Sequence, residues 1–252
     1  MLNKLNFNNI FIPRKIDEIE EKEKMRIQKL LQSEVVEGSL DLQGIDWIED
    51  LGNVREVKGS VYLQNSSIKS LGNLRYIGES LLVANTPIQS LGNLQYVDGD
   101  LYLYDTSIQS LGKLERAGQS LYLSNTPIQS LGNLCYVGED LDLRNTPIQS
   151  LGNLERVEGS LDLENTPIQS LGNLKYVGNY LNLSNTPIQS LGNLEQVGWS
   201  LNLENSQIQS LGKLEYVGGD LFLQNTPLSK LPREERNKIL SKIEIREEVH
   251  VK

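Results

Sequence analysis

Pairs of leucines separated by one variable residue recur along most of this chain at a fixed interval. The pairs begin at Leu40 and Val61, and from Leu81 to Leu221 each pair begins 20 residues after the one before it. The units approximate the pattern L-x-L-x-N-T-P-I-Q-S-L-G-N-L-x-Y-V-G-G-S, whose positions we number as places 1 to 20. Places 1, 3, 8, 11, 14 and 17 are apolar in nearly every unit. The chain is therefore built mainly from one short repeat.

The spacing of the apolar places predicts how each unit folds. Apolar residues at places 1 and 3 alternate with variable residues at 2 and 4, which is the two-residue period of a β-strand with one buried face. Places 8, 11, 14 and 17 are three apart, and an α-helix of about 3.6 residues per turn would drift by about 60° at each such step. Proline at place 7 and glycine at place 12 also interrupt a helix. We expect a short strand followed by extended or single-turn 3₁₀ segments.

A single unit cannot bury its apolar face alone, so neighbouring units must cover one another. If each unit makes one circuit, the strands of successive units pair in parallel about 4.8 Å apart. Ten such strands span nine intervals, or about 43 Å. We predict a mainly β protein, a parallel β-solenoid of about ten coils capped by an α-helix at each end.

Residues that depart from the repeat lie at both ends and predict caps, which keep open sheet edges from pairing with other chains. Residues 13–32 predict a charged helix, and its apolar residues can cover the first coil: Ile16, Ile19, Ile27, Leu30 and Leu31. Pro232 suits the start of a second helix. The apolar residues available to seal the last coil are Ile239, Leu240 and Ile243. The tail EIREEVHVK can add one short strand.

These boundaries divide the chain into three parts that together form one structural domain. We assign residues 1–35 to an N-terminal helical cap and residues 36–231 to the solenoid. Residues 232–252 form a C-terminal helical cap and tail.

Several places hardly vary, and turn chemistry accounts for most of them. Asparagine at place 5 predicts a buried column of amides that bond to backbone groups where the chain leaves the strand. Proline at place 7 marks a corner without a ladder hydrogen bond. Glycine at place 12, and at 18 or 19, permits positive φ or a close approach of successive coils. We interpret glutamine and serine at places 9 and 10 as a solvated edge.

Two segments of the unit, LxLxNxxI and SLxxLxxV, resemble the leucine-rich repeat, and they recur between about residues 36 and 231. The run V-G-G-S-L-x-L-x-N is similar to the compact, receptor L-domain type of that repeat. The resemblance implies a right-handed solenoid that is used for binding.

The variable residues at places 2 and 4 are expected to face outward from the strands, so a recognition surface is expected there. In four successive coils these places hold large side chains: Tyr62, Leu82, Tyr102, Tyr104 and Tyr122. We expect them to form one aromatic patch that binds a partner, because exposed aromatic patches usually mark interaction sites. A polar half follows, with Asp142, Arg144, Asp162 and Glu164. The alternative is that the stacked tyrosines only stabilise neighbouring strands.

Two further aromatic features stand out from the repeat. Tyr180 and Trp199 replace serine and glycine in consecutive coils, and we treat them as a candidate secondary contact site. A column at place 16 predicts structural stacking between coils, interrupted by Arg116, Arg156 and Gln196. Its tyrosines are Tyr76, Tyr96, Tyr136, Tyr176 and Tyr216.

Composition argues against most catalytic and cofactor chemistry. The formal charge is -9, whereas binding to nucleic acid or to anionic membranes depends on clustered lysine and arginine. The single cysteine, Cys135, and the single histidine, His250, do not suffice for a nucleophile and base or for a zinc site. Neighbouring carboxylates at 139–142 and 158–164 are interpreted as solvated surface charge. We expect no catalytic residues, no cofactor and no metal ion.

The same sequence features bear on location. A single cysteine allows no intramolecular disulfide, and no apolar run approaches the length of about 18 residues that spans a membrane. The first residues also lack the apolar core of a signal peptide. We expect a cytoplasmic protein.

Three classes of function follow from these observations. The first, which we favour, is a non-enzymatic scaffold that presents the aromatic patch to a protein partner. The second is an acidic antagonist that imitates nucleic acid and blocks a nucleic-acid-binding enzyme, for example a defence nuclease. The third, a hydrolase that uses surface carboxylates, lacks a supporting constellation of residues. The sequence leaves the identity of the partner and the oligomeric state open.

Overall fold

The computed structural model describes residues 13–251, and for the first helix it describes the side chains from Glu20 onward. Helix α1 spans Pro13–Leu31, and helix α2 spans Arg233–Leu240. A 3₁₀ turn at Leu228–Lys230 precedes α2. The remaining regular structure consists of short strands, each of two residues.

The strands form two parallel sheets of 11 strands each. Sheet I contains the odd-numbered strands β1 to β21: Val35–Val36, Glu56–Val57, Tyr76–Ile77, Tyr96–Val97, Arg116–Ala117, Tyr136–Val137, Arg156–Val157, Tyr176–Val177, Gln196–Val197, Tyr216–Val217 and Glu244–Ile245. Sheet II contains the even-numbered strands β2 to β22: Leu40–Asp41, Val61–Tyr62, Leu81–Leu82, Leu101–Tyr102, Leu121–Tyr122, Leu141–Asp142, Leu161–Asp162, Leu181–Asn182, Leu201–Asn202, Leu221–Phe222 and Val249–His250. Each repeated coil contributes one strand to each sheet.

The register between coils is constant along the stack. In sheet II, Leu121 pairs with Leu101 on one side and with Leu141 on the other. In sheet I, Val137 pairs with Val157. Each residue of a coil therefore lies directly on the residue at the same place of its neighbour, which confirms the predicted parallel β-solenoid with a helix near each end.

The pattern of apolar residues predicted one strand per coil, and the structure has two. The second strand occupies places 16 and 17, as in Tyr136–Val137, where an outward-facing tyrosine precedes a buried valine. A strand of two residues shows only one exposed and one buried side chain. That pattern is not recognisable within apolar places that are spaced three residues apart. The arc between the two strands is irregular in the repeated coils, as expected.

The apolar places form columns that fill the interior. In the coil that begins at Leu121, the side chains of Leu123, Ile128, Leu134 and Val137 are fully buried. Burial of apolar surface contributes about 25 cal/mol per Å². Each column continues through the neighbouring coils, so most of the stabilisation of one coil comes from its contacts with the next.

The asparagines at place 5 are exposed at a turn, which corrects the expectation of a buried amide column. From Asn65 to Asn225, the residues at this place have φ angles between 54° and 58°, a left-handed conformation that asparagine tolerates better than most residues. Their side chains bond along the stack, as where Asn145 Nδ2 donates to Asn125 Oδ1 over 3.1 Å. Asparagine is therefore favoured by the backbone of the turn and by the ladder on its outer side.

Threonine at place 6 fills the interior position beside that turn. Thr126 is 3% exposed, and its Oγ1 donates a hydrogen bond of 2.7 Å to the carbonyl oxygen of Leu123. Ser66 and Ser206 replace threonine in two coils, and the buried Oγ of each has no hydrogen-bond partner among the described residues. Both the methyl group and the hydroxyl group of threonine therefore suit this place.

Serine at place 10 has a structural role that the interpretation as a solvated edge missed. Ser150 Oγ accepts a hydrogen bond of 3.2 Å from the N–H of Gly152, which has a φ of 58°. The same bond recurs in the coils on both sides, at Ser130 and Ser170. Serine thus stabilises the left-handed turn that requires glycine at place 12.

Glycine at place 18 or 19 allows two coils to approach closely. A Cβ atom on Gly178 would overlap the carbonyl oxygen of Glu158 in the coil before it. Where place 18 holds a larger residue, as at Asp98 and Glu158, glycine stands at place 19 instead. The corner between the two sheets therefore needs one glycine per coil.

Helix α1 covers the N-terminal end of the solenoid as predicted. Ile27 is buried, and Leu30 and Leu31 pack partly buried against the core. The carbonyl oxygen of Leu31 also accepts a hydrogen bond of 2.9 Å from the N–H of Asn53. The predicted contacts of Ile16 and Ile19 lie outside the described side chains.

The C-terminal end contains the predicted helix and more strand than expected. Pro232 precedes α2, and Ile239, Leu240 and Ile243 pack against the core. The tail adds two strands where one was predicted, Glu244–Ile245 in sheet I and Val249–His250 in sheet II. The tail thus continues both sheets by one further strand.

Replacement of Ser206 by threonine should stabilise the protein. The added methyl group would be buried, and the hydroxyl could bond to the carbonyl oxygen of Leu203, as the threonines of other coils do. We expect the free energy of unfolding in urea to rise by about 1 kcal/mol. Ser107→Thr, at the exposed place 7, is the control and should change it by less than about 0.5 kcal/mol. A loss of stability in Ser206→Thr would contradict this account of the threonine column.

Replacement by alanine should cost more stability at a glycine of place 18 than at a glycine of place 12. Gly178→Ala forces a Cβ against backbone, so we expect a loss of about 2 kcal/mol or more in unfolding free energy. Gly152→Ala meets nothing within 4 Å and should lose only the left-handed backbone strain of about 1 kcal/mol. Urea unfolding of both variants measures the difference, and a larger loss in Gly152→Ala would show that close approach is not the constraint at place 18.

Candidate partner-binding face

The outer side of sheet II carries the residues that the sequence analysis selected. We call it the sheet II face, and it comprises the outward side chains at places 2 and 4 and the adjoining place 20. Tyr62 pairs with Leu82, Leu82 with Tyr102, and Tyr102 with Tyr122. Tyr104 lies two residues after Tyr102, on the same side of the chain. These five residues, the aromatic patch, are neighbours in four successive coils.

The patch combines a fixed ring stack with one well-exposed ring. The rings of Tyr102 and Tyr122 stack with centroids 5.3 Å apart and an interplanar angle of 14°. The Tyr102 hydroxyl donates to Asp100 Oδ2 over 3.1 Å, and burial together with this bond raises the pKa of Tyr102. Tyr104 is 44% exposed. Because the stack is held in place, a partner would meet aromatic surface that is already ordered.

The polar half begins where the patch ends, since Tyr122 pairs with Asp142 and Asp142 with Asp162. The Arg144 guanidinium donates two hydrogen bonds to Asp142, Nε over 2.9 Å and NH2 over 2.8 Å. Arg144 Nε lies farther from Asp162 Oδ2, at 3.6 Å. Arg144, the one arginine of this group, therefore pairs mainly with Asp142.

The two aspartates consequently differ in electrostatic environment. Burial raises the pKa of Asp162 above its ordinary value of 3.8, and the bond from the Glu164 N–H and the charge of Arg144 offset only part of that effect. Burial acts in the same direction on Asp142, but the hydrogen bonds and charge of Arg144 outweigh it and lower the pKa of Asp142. The Asp142 contact in turn raises the pKa of Arg144. The negative charge of Asp162 is therefore the less compensated of the two.

The secondary candidates, Tyr180 and Trp199, have different surroundings. Tyr180 is half-buried beside the polar half, where burial raises its pKa and the nearby carboxylates of Asp162 and Glu164 add to the effect. Trp199 is 59% exposed and stands at the corner, with its ring next to the position that a Cβ on Gly219 would occupy. Tyr180 therefore extends the sheet II face, while Trp199 is a separate exposed ring.

Place 20 carries a side-chain ladder that the sequence analysis did not identify. The N–H of Asp140 donates to Ser120 Oγ over 3.3 Å, and the N–H of Ser160 donates to Asp140 Oδ1 over 2.7 Å. Serine and aspartate share a short side chain with an oxygen at the right distance, which is the sequence signal for this ladder. Tyr180 has no oxygen close enough to its backbone to accept this bond, so the ladder does not account for a tyrosine at place 20.

Two arginines in the outer column of sheet I lie over tyrosine rings of the next coil, so they do not simply interrupt the column. The Arg116 guanidinium lies 4.5 Å from the ring centroid of Tyr136, and that of Arg156 lies 3.7 Å from Tyr176. Contacts of this kind contribute about 0.5 to 1 kcal/mol at exposed sites. The Tyr96 hydroxyl donates to Glu115 over 2.9 Å. The sheet I tyrosines are thus engaged with charged side chains of their own surface, where the sequence predicted stacking between coils.

Among the side chains that the structure describes, from Glu20 to Val251, no group of three or more histidine, cysteine, aspartate or glutamate residues is arranged to hold a metal ion. Neither helix within residues 13–251 combines the length and apolar character needed to cross a bilayer. A hollow of about 310 Å³ lies between α1 and the first coil, lined in part by Ile27, Ile45 and Trp47.

Replacement of Asp142 and of Asp162 by asparagine should have different effects on the free energy of unfolding. Asp142→Asn deprives Arg144 of its partner, so the free energy of unfolding at pH 7 should fall by roughly 0.5 kcal/mol. Asp162→Asn removes a charge that burial disfavours and keeps an oxygen for the Glu164 N–H, so stability at pH 7 should be unchanged or higher. Urea unfolding of both variants measures the two effects, with the exposed Asp41→Asn as the control of near-zero change.

The pH dependence follows from the directions of the two pKa shifts. The stabilisation by ionised Asp142 is present above pH 3.8 and is lost as the pH falls through its lowered pKa. The penalty of ionised Asp162 is absent below pH 3.8 and appears as the pH rises through its raised pKa. Just below pH 3.8, Asp162→Asn should therefore match the parent protein while Asp142→Asn remains less stable. Changes of the same sign in both variants at pH 7 would contradict this assignment.

Comparison with known proteins assigns this chain to no family. No protein-family model matches it, and no curated protein sequence is similar to it. The geometry of its two faces is therefore the basis for a functional interpretation.

Proposed function

We propose that this protein is a non-enzymatic binding scaffold whose solenoid presents the aromatic patch to a protein partner. The observation that carries the proposal is the placement of Tyr62, Leu82, Tyr102 and Tyr122 as consecutive neighbours on one outer sheet surface, with Tyr104 exposed beside them. Contiguous apolar surface of this kind is uncommon on a protein without a partner. Aromatic residues that cluster centrally also dominate binding energy at interfaces.

The contrast between the two sheets supports this role for sheet II. A purely structural tyrosine column is expected to run the length of the stack, as on sheet I, where tyrosines or arginines occupy most coils. The aromatic patch occupies only four coils and then gives way abruptly at Asp142. A local concentration of large apolar side chains on a uniform scaffold favours recognition over stacking.

The scaffold itself suits binding because its surface is ordered before the partner arrives. Two-residue strands, turn hydrogen bonds and fully buried columns hold each coil on its neighbours. A preordered surface loses less conformational entropy on association than a flexible one. We accordingly propose that binding involves no large rearrangement of the coils.

We also propose that the 20-residue coil is a compact relative of the leucine-rich repeat, of the receptor L-domain type. The support is the strand at the start of L-x-L and the buried leucines and valine of the S-L-x-x-L-x-x-V arc, which follow in the same order in each coil. A crystal structure tests this proposal through the hand of the coil, which should be right-handed. A left-handed coil would remove the relationship.

Removal of the aromatic patch should abolish partner binding without unfolding the scaffold. We expect Tyr62→Ala, Tyr102→Ala, Tyr104→Ala and Tyr122→Ala together to eliminate capture of the partner from the native cell, and to weaken binding of the purified partner at least about 100-fold. Affinity capture followed by titration of the identified protein measures both effects.

The matched control replaces four tyrosines on the other sheet, Tyr76, Tyr96, Tyr136 and Tyr176, by alanine. It should retain capture, since it removes the same number of rings from the opposite surface. If either quadruple variant unfolds, Tyr104→Ala and Tyr96→Ala provide a milder pair, because both rings are well exposed. Retained binding in the patch variant, or equal loss in the control, would refute the proposed role of the patch.

A further inference from the structure

Negative charge is concentrated on the sheet II face. Places 2, 4 and 20 of the repeated coils contain eight carboxylates and one arginine, Arg144. The carboxylates belong to Asp41, Asp100, Asp140, Asp142, Asp162, Glu164, Glu204 and Asp220. The whole chain has 33 acidic and 24 basic residues, so the residues outside this face are close to electrical balance. Most of the net charge of -9 therefore belongs to the surface that carries the aromatic patch.

The coil does not need every one of these charges for its own stability, as Asp162 shows. Asp142 and Asp162 are direct neighbours in sheet II, and like charges placed directly opposite in a sheet are unfavourable. Asp162 Oδ1 accepts a hydrogen bond of 3.0 Å from the N–H of Glu164. In the next coil Asn182 Oδ1 accepts the same bond, of 3.1 Å, from the N–H of Ser184. Asparagine thus satisfies the backbone equally well without the charge.

The charges also adjoin the aromatic patch with no gap between them. Tyr122 and Asp142 are paired neighbours, and Asp100 contacts Tyr102 from place 20. A partner that covers the patch would therefore bring its own surface next to these carboxylates. A neutral or acidic partner would leave them desolvated and unpaired, which is costly. A surface rich in lysine and arginine would pair with them, and arginine can also stack on the tyrosine rings.

From this arrangement we infer that the partner docks on the sheet II face through a basic protein surface, with the aromatic patch and the polar half engaged together. The inference rests on the proposed function and specifies the chemistry of the partner. Complementary charge of this kind speeds association and selects against wrong partners. The hypothesis of an acidic antagonist of a nucleic-acid-binding enzyme is one special case, because such an enzyme presents a basic groove.

A fluorescein-labelled octa-arginine peptide tests the inference directly on the full chain. We compare two variants that each lose three negative charges. One carries Asp162→Asn, Glu164→Gln and Glu204→Gln on the sheet II face, and the other carries Glu155→Gln, Glu195→Gln and Glu215→Gln at the exposed place 15. Fluorescence anisotropy in 50 mM NaCl should show about tenfold weaker binding for the face variant and less than about twofold for the control.

Three outcomes are decisive. Weakening confined to the face variant supports a basic partner, and amide chemical-shift changes on peptide addition should then cluster on sheet II. Equal weakening of both variants, or shift changes spread over the surface, would show a response to bulk charge only and would overturn the inference. The absence of peptide binding to the parent protein would overturn it too.

The peptide experiment and the tyrosine experiment can fail separately. Patch-dependent capture without charge-selective peptide binding would leave the scaffold proposal standing and remove the basic partner. Charge-selective peptide binding with capture that survives loss of the four tyrosines would remove the role of the patch in the proposed function.

Discussion

Hydrogen bonds between consecutive coils, made in one constant register, hold this protein together. The N–H of Leu121 donates to the carbonyl oxygen of Asp140 over 2.8 Å, and the N–H of Leu123 donates to that of Asp142 over 2.8 Å. The same pair of bonds recurs along sheet II. Since no coil changes the register, each place of the repeat becomes a column through the stack. Interior columns, turn ladders and outer faces all follow from this alignment.

The near-identity of the repeat reflects the demands of three tight corners. Asparagine at place 5 adopts a left-handed conformation, serine at place 10 bonds to the glycine at place 12, and a glycine at place 18 or 19 admits the neighbouring coil. A different residue at one of these places would strain the turn itself or, at place 18, clash with the neighbouring coil. Variation is therefore confined to outward places, and any specificity has to reside there.

The two outer sheet surfaces show how one scaffold can carry different surfaces. On sheet I, Arg116 and Arg156 lie over tyrosine rings of the next coil, so aromatic and charged groups interact with each other. On sheet II, the aromatic patch occupies four coils and the carboxylates spread along the face with a single arginine among them. Charge and aromatic surface are thus left available on sheet II, which is why the proposed interaction is placed there.

The sequence by itself determined the solenoid, the buried columns, the capping helices and the neighbourhood of Tyr62, Leu82, Tyr102 and Tyr122. A 20-residue period with constant apolar places allows few other folds, and it fixes which residues become neighbours. The tertiary structure alone decided that asparagine faces outward, that the chain forms a second sheet and that Arg144 pairs mainly with Asp142. These features depend on backbone angles at the corners and on distances between side chains of different coils, and a residue pattern does not contain either quantity.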